Sequence, residues 1–455
     1  MSRSPVIQPI PFRDAAAAFA PFADQPMAVL LDSALPGNQS RFSYIAIDPF
    51  SVIRCAGYPW AVTVDGVRRT TDAFETVRQE LAKYALSAMG PTPFTGGAVG
   101  FFAYELGGVL EHMLPPKAGP ETPDMVIGLY DTIAAFDLEQ RAAWVIAHDI
   151  PGRAPAAARA AQLAAGLGSV PVGAREPILQ GVWRAESSRA EQEKRIAAAV
   201  AAIHAGDIYQ ANITQRFVTD PPATTPFDLY LRLRAATPAP FAAFMNADDG
   251  LHILSASPER FLKVTAEGQI ESRPIKGTRP RASDAVRDRA LADELTASAK
   301  DRAENLMIVD LLRNDLARVC VQGSVEVPVL CGLESFPVVH HLVSVVTGQL
   351  RSDATAMDLL RAAFPGGSIT GAPKIKAMEI IRDLELSPRG PYCGTIAWMG
   401  FDGAMDSSIV IRTLVWDQNT LSVQAGGGIV AESNPAQEYD ESVLKAQALL
   451  NLVGT

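Results

Sequence analysis

MVIGLYDTIAAFD, residues 125–137, together with AAWVIAHD at 142–149, is the stretch on which the fold class turns. β-Branched and aromatic residues in short blocks bounded by aspartates read as strands. The same pattern extends outward through PMAVLLDS (26–33), RFSYIAIDP (41–49) and the glycine-bearing TGGAVGFFAYE (95–105). An N-terminal unit over 1–150 is therefore expected to be mostly sheet. Residues 151–178 are rich in Pro, Gly and Ala and poor in large apolar side chains, the composition of a short helix within a connector. We place that connector at 151–186 and a larger unit at 187–455. In the larger unit, helical patterns at 188–205, 284–318, 355–363, 372–386 and 434–453 alternate with strand blocks at 251–265, 269–276, 343–350, 392–400, 407–416 and 420–425. The class is α/β or α+β with large sheets.

Composition narrows the function. A chain of 455 residues exceeds what one hydrophobic core usually spans, and 48% hydrophobic against 20% charged residues is a globular profile, not a disordered one. A formal net charge of −10 argues against nucleic acid or an anionic membrane as partner, because both need clustered cations. The opening MSRSPVIQPIPFRD has prolines where a signal peptide needs an unbroken apolar run, and no later stretch reaches membrane-spanning length. A cytoplasmic location is expected. Cys55, Cys320, Cys331 and Cys393 form no C-x-x-C pair and read as reduced, buried thiols.

The chemistry lies in charges whose periodicity turns them inward. In ASAKDRAENLMIVDLLRNDLA (297–317), helical phasing puts Asp301 and Glu304 on the stripe of Ile308, Leu311 and Leu312. In the last helix Glu438, Glu441 and Lys445 share a stripe with Ala448 and Leu452. Carboxylates often cap helices or decorate surfaces, but two inward pairs on separate helices require a cation, and hard oxygen donors without Cys or His suit Mg²⁺. In SSIVIRTLVW (407–416), read as one strand, Arg412 faces with Val410, Leu414 and Trp416, as an ion pair or as a bidentate clamp for a ligand carboxylate. FPGGSITGAPK (364–374) and AGGGIV (425–430) read as glycine-rich loops offering backbone donors.

Together these stretches resemble the chorismate-utilising enzymes. The resemblance starts at about residue 26 and is strongest from 187 to 445. It is carried by GDIYQANITQRF (206–217), SPERF (257–261), PIKGTRPR (274–281), KDRAENLMIVDLLRND (300–315), HHLVS (340–344), FPGGSITGAPK, IRT (411–413), AGGGIV and the terminal E-x-x-E-x-x-x-K. It implies an α+β fold, an α/β sandwich of large antiparallel sheets packed between helices in two interleaved subdomains. It implies chorismate as substrate and Mg²⁺ as cofactor, held by Glu304 and Glu441 with Asp301 and Glu438 behind them or reaching the metal through water. By the same resemblance Tyr392, Arg412, Gly426, Gly428 and Lys445 hold the substrate's carboxylates, and Ser368 and Thr370 lie on a loop that approaches it. His341 matches the active-site histidine, with His340 structural.

Lys276 separates the branches. Relatives that make anthranilate read P-I-A-G-T, whereas those that make 4-amino-4-deoxychorismate, on the route to p-aminobenzoate and folate, read P-I-K-G-T as here. The implied mechanism has Lys276 attack C2 while the C4 hydroxyl departs, protonated by Glu259, after which ammonia enters at C4 and expels the lysine. Gln210 stands where isochorismate-forming relatives carry a lysine base. The segment LLDS (30–33) resembles the L-L-E-S element around which relatives bind tryptophan, giving a candidate pocket at Leu31, Asp32 and Ser33. No G-x-C-x-G elbow is present, since Cys55 in RCAGYP lacks the preceding glycine, so ammonia is expected from a separate glutamine amidotransferase subunit. Two other readings stay open on the sequence: an anthranilate-forming enzyme, and a non-catalytic subunit that binds chorismate or tryptophan.

Overall fold

The computed structural model describes residues 4–454 apart from 36, 38, 88–89, 112, 114–116, 118–121, 169–178 and 337–338. Two 12-stranded sheets lie face to face, and among the described residues every pairing within them is antiparallel. The layers follow from strand alternation. In the first sheet Leu30 and Ile45 point outward, while Val29, Tyr44 and Ala46 point inward. In the second sheet Ala98 and Phe102 point outward and Val99 and Phe101 inward. The inward set forms a core between the sheets that includes Ile253, Trp398 and Val410. Helices Ala15–Phe19, Ala156–Gly166, Pro226–Ala236 and Pro435–Leu450 cover the outer face of the first sheet, and Ala73–Ala82, Ala299–Ala317 and Ala356–Ala363 that of the second. The architecture is the α/β sandwich with antiparallel sheets expected from the resemblance.

The stretch over 1–150 and that over 187–455 do not separate in space. The first sheet runs Val6–Ile10, Ala142–Ala147, Thr132–Asp137, Phe42–Ala46, Val29–Asp32, then Phe241–Asn246, Leu251–Ser257, Thr413–Asp417, Thr420–Ile429 and Gln210–Thr219, so it passes from one stretch to the other in mid-sheet. In the second sheet Gly97–Phe102 pairs directly with Thr395–Gly400. The helix expected in the connector is Ala156–Gly166, which buries Ala156, Ala160 and Leu163 against the first sheet. Residues 169–178 of the connector lie outside the described residues.

Several blocks that read as single elements are two. Met125–Tyr130 belongs to the second sheet and Thr132–Asp137 to the first, with the chain crossing at Asp131. All residues of both strands are buried, because each sheet is covered on both faces. Block 251–265 divides at Pro258–Glu259, and block 407–416 divides after Ile409. Helical block 284–318 breaks at Ser298, which ends Ala285–Ala297 and caps Ala299–Ala317 by accepting from the Asp301 N–H. AGGGIV is no loop, since Gly426, Gly427 and Gly428 lie within the strand Thr420–Ile429, opposite Thr214, Ile213 and Asn212. The strands Val6–Ile10 and Ser51–Ala56 lie outside the strand blocks named from the sequence.

Candidate active site

A cavity of about 700 Å³ opens where the chain crosses between the sheets. One wall is the strand Ile275–Pro280. Its pairing with Val339–Gln349 shifts between Ile275 and Thr278, and this bulge turns Lys276 into the cavity. Gly277 sits at φ 82° against the helix Ala299–Ala317, where a Cβ would come within 2.9 Å of the Asp301 side chain. Lys276 Nζ donates to the Ser368 carbonyl at 3.3 Å. Burial pulls the Lys276 ammonium below its ordinary value, and it outweighs the opposing pull of Glu304 and Glu259. Glu259, at the first-sheet to second-sheet crossing, is 7% exposed, and burial pushes its carboxyl up to about 7 against the Ser368 hydroxyl and Lys276. His341 pairs its Nδ1 with the Thr278 hydroxyl at 2.9 Å. Burial first and the Arg412 charge second depress it to about 4, so the imidazole is neutral at pH 7.

The facing wall is an open sheet edge. Thr413–Asp417 pairs with the strand Thr420–Ile429 no further than Leu414 opposite Val423, so Gln424 onward has a free side. Lys445 Nζ donates to the Gly426 carbonyl at 3.1 Å. By antiparallel alternation the N–H groups of Gly426 and Gly428 point to that same side. The glycines are required here. A Cβ at Gly426 would meet the Ile213 carbonyl at 2.2 Å, and at Gly428 the Gln210 amide at 2.8 Å.

Arg412 is not on a strand face with Val410, Leu414 and Trp416. It occupies the crossing between two strands at φ 51°, exposed into the cavity, and has no carboxylate partner among the described residues. Tyr392 lines the same wall, its phenol held well above the ordinary value by burial. Ser368 lines the cavity, but Thr370 does not. Thr370 is fully buried and donates its hydroxyl to the Gly366 carbonyl at 2.9 Å, which shapes the loop from within.

The two acidic helices form the rim. Glu304 and Glu441 face the cavity, while Asp301 accepts from Arg279 at 3.3 Å and Glu438 from the Ser433 hydroxyl at 2.7 Å. Burial raises Glu304. Burial also pushes on Glu441, but the Lys445 ammonium at 2.7 Å wins and holds it below the ordinary value. The carboxylates are therefore not without counter-charge, as the sequence suggested. Lys300, 4.0 Å from Glu304, and Lys445 stand beside them. Ala448 is exposed, and the buried stripe of the last helix runs instead through Ser442, Ala446 and Leu449. Lys300, one helical turn before Glu304, carries no expectation from the sequence.

Among the described residues no three His, Cys, Asp or Glu side chains converge tightly enough to ligate one ion alone. The donor set nevertheless fits Mg²⁺, which takes one or two carboxylates and completes its shell with water and substrate oxygens. The cavity lining holds five basic side chains (Lys276, Arg279, Lys300, Arg412, Lys445) and five acidic ones (Glu259, Asp301, Glu304, Glu438, Glu441). A dianionic ligand in that balanced lining lacks compensation that a divalent cation supplies.

A second cavity of about 230 Å³ is lined by Leu31, Asp32 and Ser33 with Phe241, Lys263 and Trp398. The Asp32 carboxylate accepts from Arg234 Nε at 2.6 Å and the Tyr230 hydroxyl at 2.9 Å, and the Ser33 hydroxyl donates to the Phe42 carbonyl at 2.7 Å. Both polar groups are thus engaged by the fold. All four cysteines are free and buried, and among the described residues no helix is long and apolar enough to cross a membrane.

Residues 34–451 match the family of chorismate binding enzymes. The chain is 44% identical over 98% of its length, and 99% of the relative's, to aminodeoxychorismate synthase component 1 of Klebsiella aerogenes. It is 37% identical to anthranilate synthase component 1 of Streptomyces coelicolor over 93% of this chain and 83% of that one. Among solved structures, anthranilate synthase component I from Streptococcus pneumoniae TIGR4 superposes with a TM-score of 0.80 at 32% identity, covering 91% of this chain and 93% of that chain.

Proposed function

Because the chain belongs to the chorismate-binding enzymes, we propose that it converts chorismate and ammonia to 4-amino-4-deoxychorismate, the activity of the component 1 relatives it matches almost end to end. The observation that carries this reading is Lys276, a desolvated amine on a bulge that faces the free edge of the Thr420–Ile429 strand. Arg412, the Gly426 and Gly428 N–H groups and Lys445 bind the substrate's carboxylates across the cavity, with Tyr392 and Ser368 flanking them. Lys276 Nζ then bonds to C2, the ring double bonds shift, and the C4 hydroxyl leaves as water with a proton from Glu259. Ammonia bonds to C4, the double bonds shift back, and the C2–N bond breaks to restore the lysine. Neutral His341, fixed by Thr278, presents a ring nitrogen without adding charge. Mg²⁺, when held by Glu304 and Glu441 with Asp301 and Glu438 behind them, supplies Lewis acidity at the ring carboxylate.

Ammonia is supplied in this reading by a separate glutamine amidotransferase. The second cavity, at Leu31, Asp32 and Ser33, is the candidate site for tryptophan, with a ligand-free, packed core as the other reading. The test is direct: purified chain, chorismate, Mg²⁺ and ammonium chloride are incubated and the product identified by mass and absorbance. Formation of 4-amino-4-deoxychorismate is expected. Release of anthranilate and pyruvate would establish the rival activity, and absence of turnover would leave a binding subunit.

Glu259 sets a pH dependence with a definite sign. An acid held at about 7 is protonated below that value and ionised above it, so kcat is expected to fall as pH rises past 7. Glu259→Gln removes this descending limb and lowers kcat about 10²-fold, as read from pH–rate profiles of the two proteins. Linkage runs the same way. Since burial raises this carboxyl from 4.5 to about 7, the protonated group favours the folded state, and that contribution is lost as pH climbs through this window.

A further inference from the structure

Ser368 is where the two reacting side chains meet. Its carbonyl accepts from Lys276 Nζ at 3.3 Å, and its hydroxyl hydrogen-bonds the Glu259 carboxyl. Both contacts hold only while the loop that carries Ser368 keeps its place. Inside that loop the Ile369 N–H and the Thr370 hydroxyl donate to the Gly366 carbonyl at 3.3 and 2.9 Å, which sets its shape. Beyond Thr370, Gly371 and Ala372 pair with Ala211 and Gln210. At Ile369, the residue next to Ser368, the anchor is a side chain from elsewhere.

That anchor is Arg389, which is 3% exposed and does not line the large cavity. Its guanidinium donates from Nη1 to the Ile369 carbonyl at 2.9 Å and from Nη2 to the Asn212 carbonyl at 2.6 Å. Nε and Nη2 also donate to the Glu385 carboxylate, at 2.9 and 2.7 Å. Asn212 closes the triangle, because its Nδ2 donates to the same Ile369 carbonyl at 3.2 Å and its N–H to the Thr370 carbonyl at 2.7 Å. The clamp is itself braced. The Arg389 and Gly390 N–H groups donate to Glu105 at 2.6 and 3.0 Å, the Tyr104 ring lies 4.4 Å from the guanidinium, and Glu385 accepts from the Thr214 N–H at 2.9 Å. A buried ion pair is weak support for stability, since both ions lose their water and apolar side chains of the same volume often serve as well. Apolar side chains cannot hold two carbonyls in a rigid fork.

We propose that Arg389, neutralised by Glu385, is a positioning residue for the reaction: through the Ile369 carbonyl and Asn212 it sets Ser368 where one residue meets both Lys276 and Glu259. This deepens the proposed function and rests on Lys276 and Glu259 acting as described there.

Arg389→Lys keeps a charge beside Glu385, but one ammonium cannot reproduce the fork that joins Glu385 to both carbonyls. The full chain is assayed across pH with chorismate, Mg²⁺ and saturating ammonium chloride. In the variant kcat is expected to fall about tenfold or more while the KM for chorismate stays within about threefold, because Arg412 and Lys445 are not held by Arg389. The descending limb above pH 7 gives the second readout. The Ser368 hydroxyl, the Lys276 ammonium and the Ile275 N–H all pull the Glu259 carboxyl down against burial. A displaced Ser368 therefore lets that carboxyl rise, and the limb is expected to move up by about half a pH unit or more. Loss of packing alone lowers the melting temperature and the folded fraction without moving the limb. Should Arg389→Lys melt early, Arg389→Met combined with Glu385→Gln, which leaves no unpaired ion and keeps an acceptor for Thr214, is expected to show the same two changes. An unmoved limb, or a kcat per folded molecule equal to the parent's, overturns the positioning role. A parent chain that releases anthranilate overturns the proposed activity while its limb still reports on Arg389, and a parent without turnover overturns both.

Discussion

Lys276→Ala is expected to lower the rate of 4-amino-4-deoxychorismate formation by about 10²-fold and to abolish the covalent adduct that quenched, intact parent protein shows by mass spectrometry. Two opposed effects act on this amine. Neighbouring Glu304 and Glu259 favour its charged form, while desolvation disfavours it, and desolvation wins. In water a lysine with a pKa of about 10.4 costs about 4.6 kcal/mol to deprotonate at pH 7. The cavity removes part of that cost in advance. Lys276→Arg keeps a cation of similar reach but cannot deprotonate, and is expected to be as inactive as the alanine variant. Stability separates a chemical role from a structural one. The Lys276 amine makes one long hydrogen bond, to the Ser368 carbonyl, so its loss should leave the melting temperature unchanged or slightly raised. An alanine variant that forms product at the parent's rate excludes covalent catalysis by this residue.

The second large effect concerns the acidic rim. Glu304→Gln and Glu441→Gln are each expected to raise the Mg²⁺ concentration for half-maximal turnover by more than about tenfold. Asp301→Asn and Glu438→Gln, whose carboxylates are engaged by Arg279 and Ser433, are expected to raise it by no more than about tenfold. EDTA should abolish turnover and added Mg²⁺ restore it. Glu441→Gln also frees Lys445 from its 2.7 Å ion pair, which strengthens the positive field near Gly426. Chorismate binding without metal, followed by fluorescence titration, is therefore expected to tighten in this variant even as turnover falls. Activity indifferent to chelation would remove the metal from the proposal.

The site was legible where chemistry dictates the residue and illegible where topology does. Inward phasing of Asp301, Glu304 and Glu438 was readable because helical period fixes the face of a helix whatever surrounds it, whereas Glu441 is exposed toward the cavity beside a buried stripe that runs through Ser442, Ala446 and Leu449. Lys276 was legible through PIKGTRPR, but the bulge that aims it depends on a pairing with Val339–Gln349 that spans more than sixty positions. Arg412 shows the limit most clearly. Strand alternation assigned it a buried face, yet SSIVIRTLVW changes sheets in its middle, and apolar residues flank the crossing because the space between two sheets is as dry as a strand. The same ambiguity hid the break at Asp131 and merged Leu251–Ser257 with Arg260–Val264. Thr370 failed for another reason. A hydroxyl in a glycine loop serves substrate or loop equally well on sequence, and here Gly366 takes it. Lys300 drew no reading, because an i,i+4 pair with Glu304 has the same spacing on a surface as in a cavity wall, whereas Lys445 was reached through the resemblance.

Gly97–Phe102 zipped to Thr395–Gly400, and Val29–Asp32 to Phe241–Asn246, mean that each ladder is half early chain and half late chain. Shuffling the gene with that of a distant cousin at the alanine-rich join would mate unfamiliar edges in both ladders at once. Hybrids of this kind should survive only when the seams were inherited together. Along these two seams, substitutions in the early part should be answered by compensating ones in the late part, far from any reacting atom.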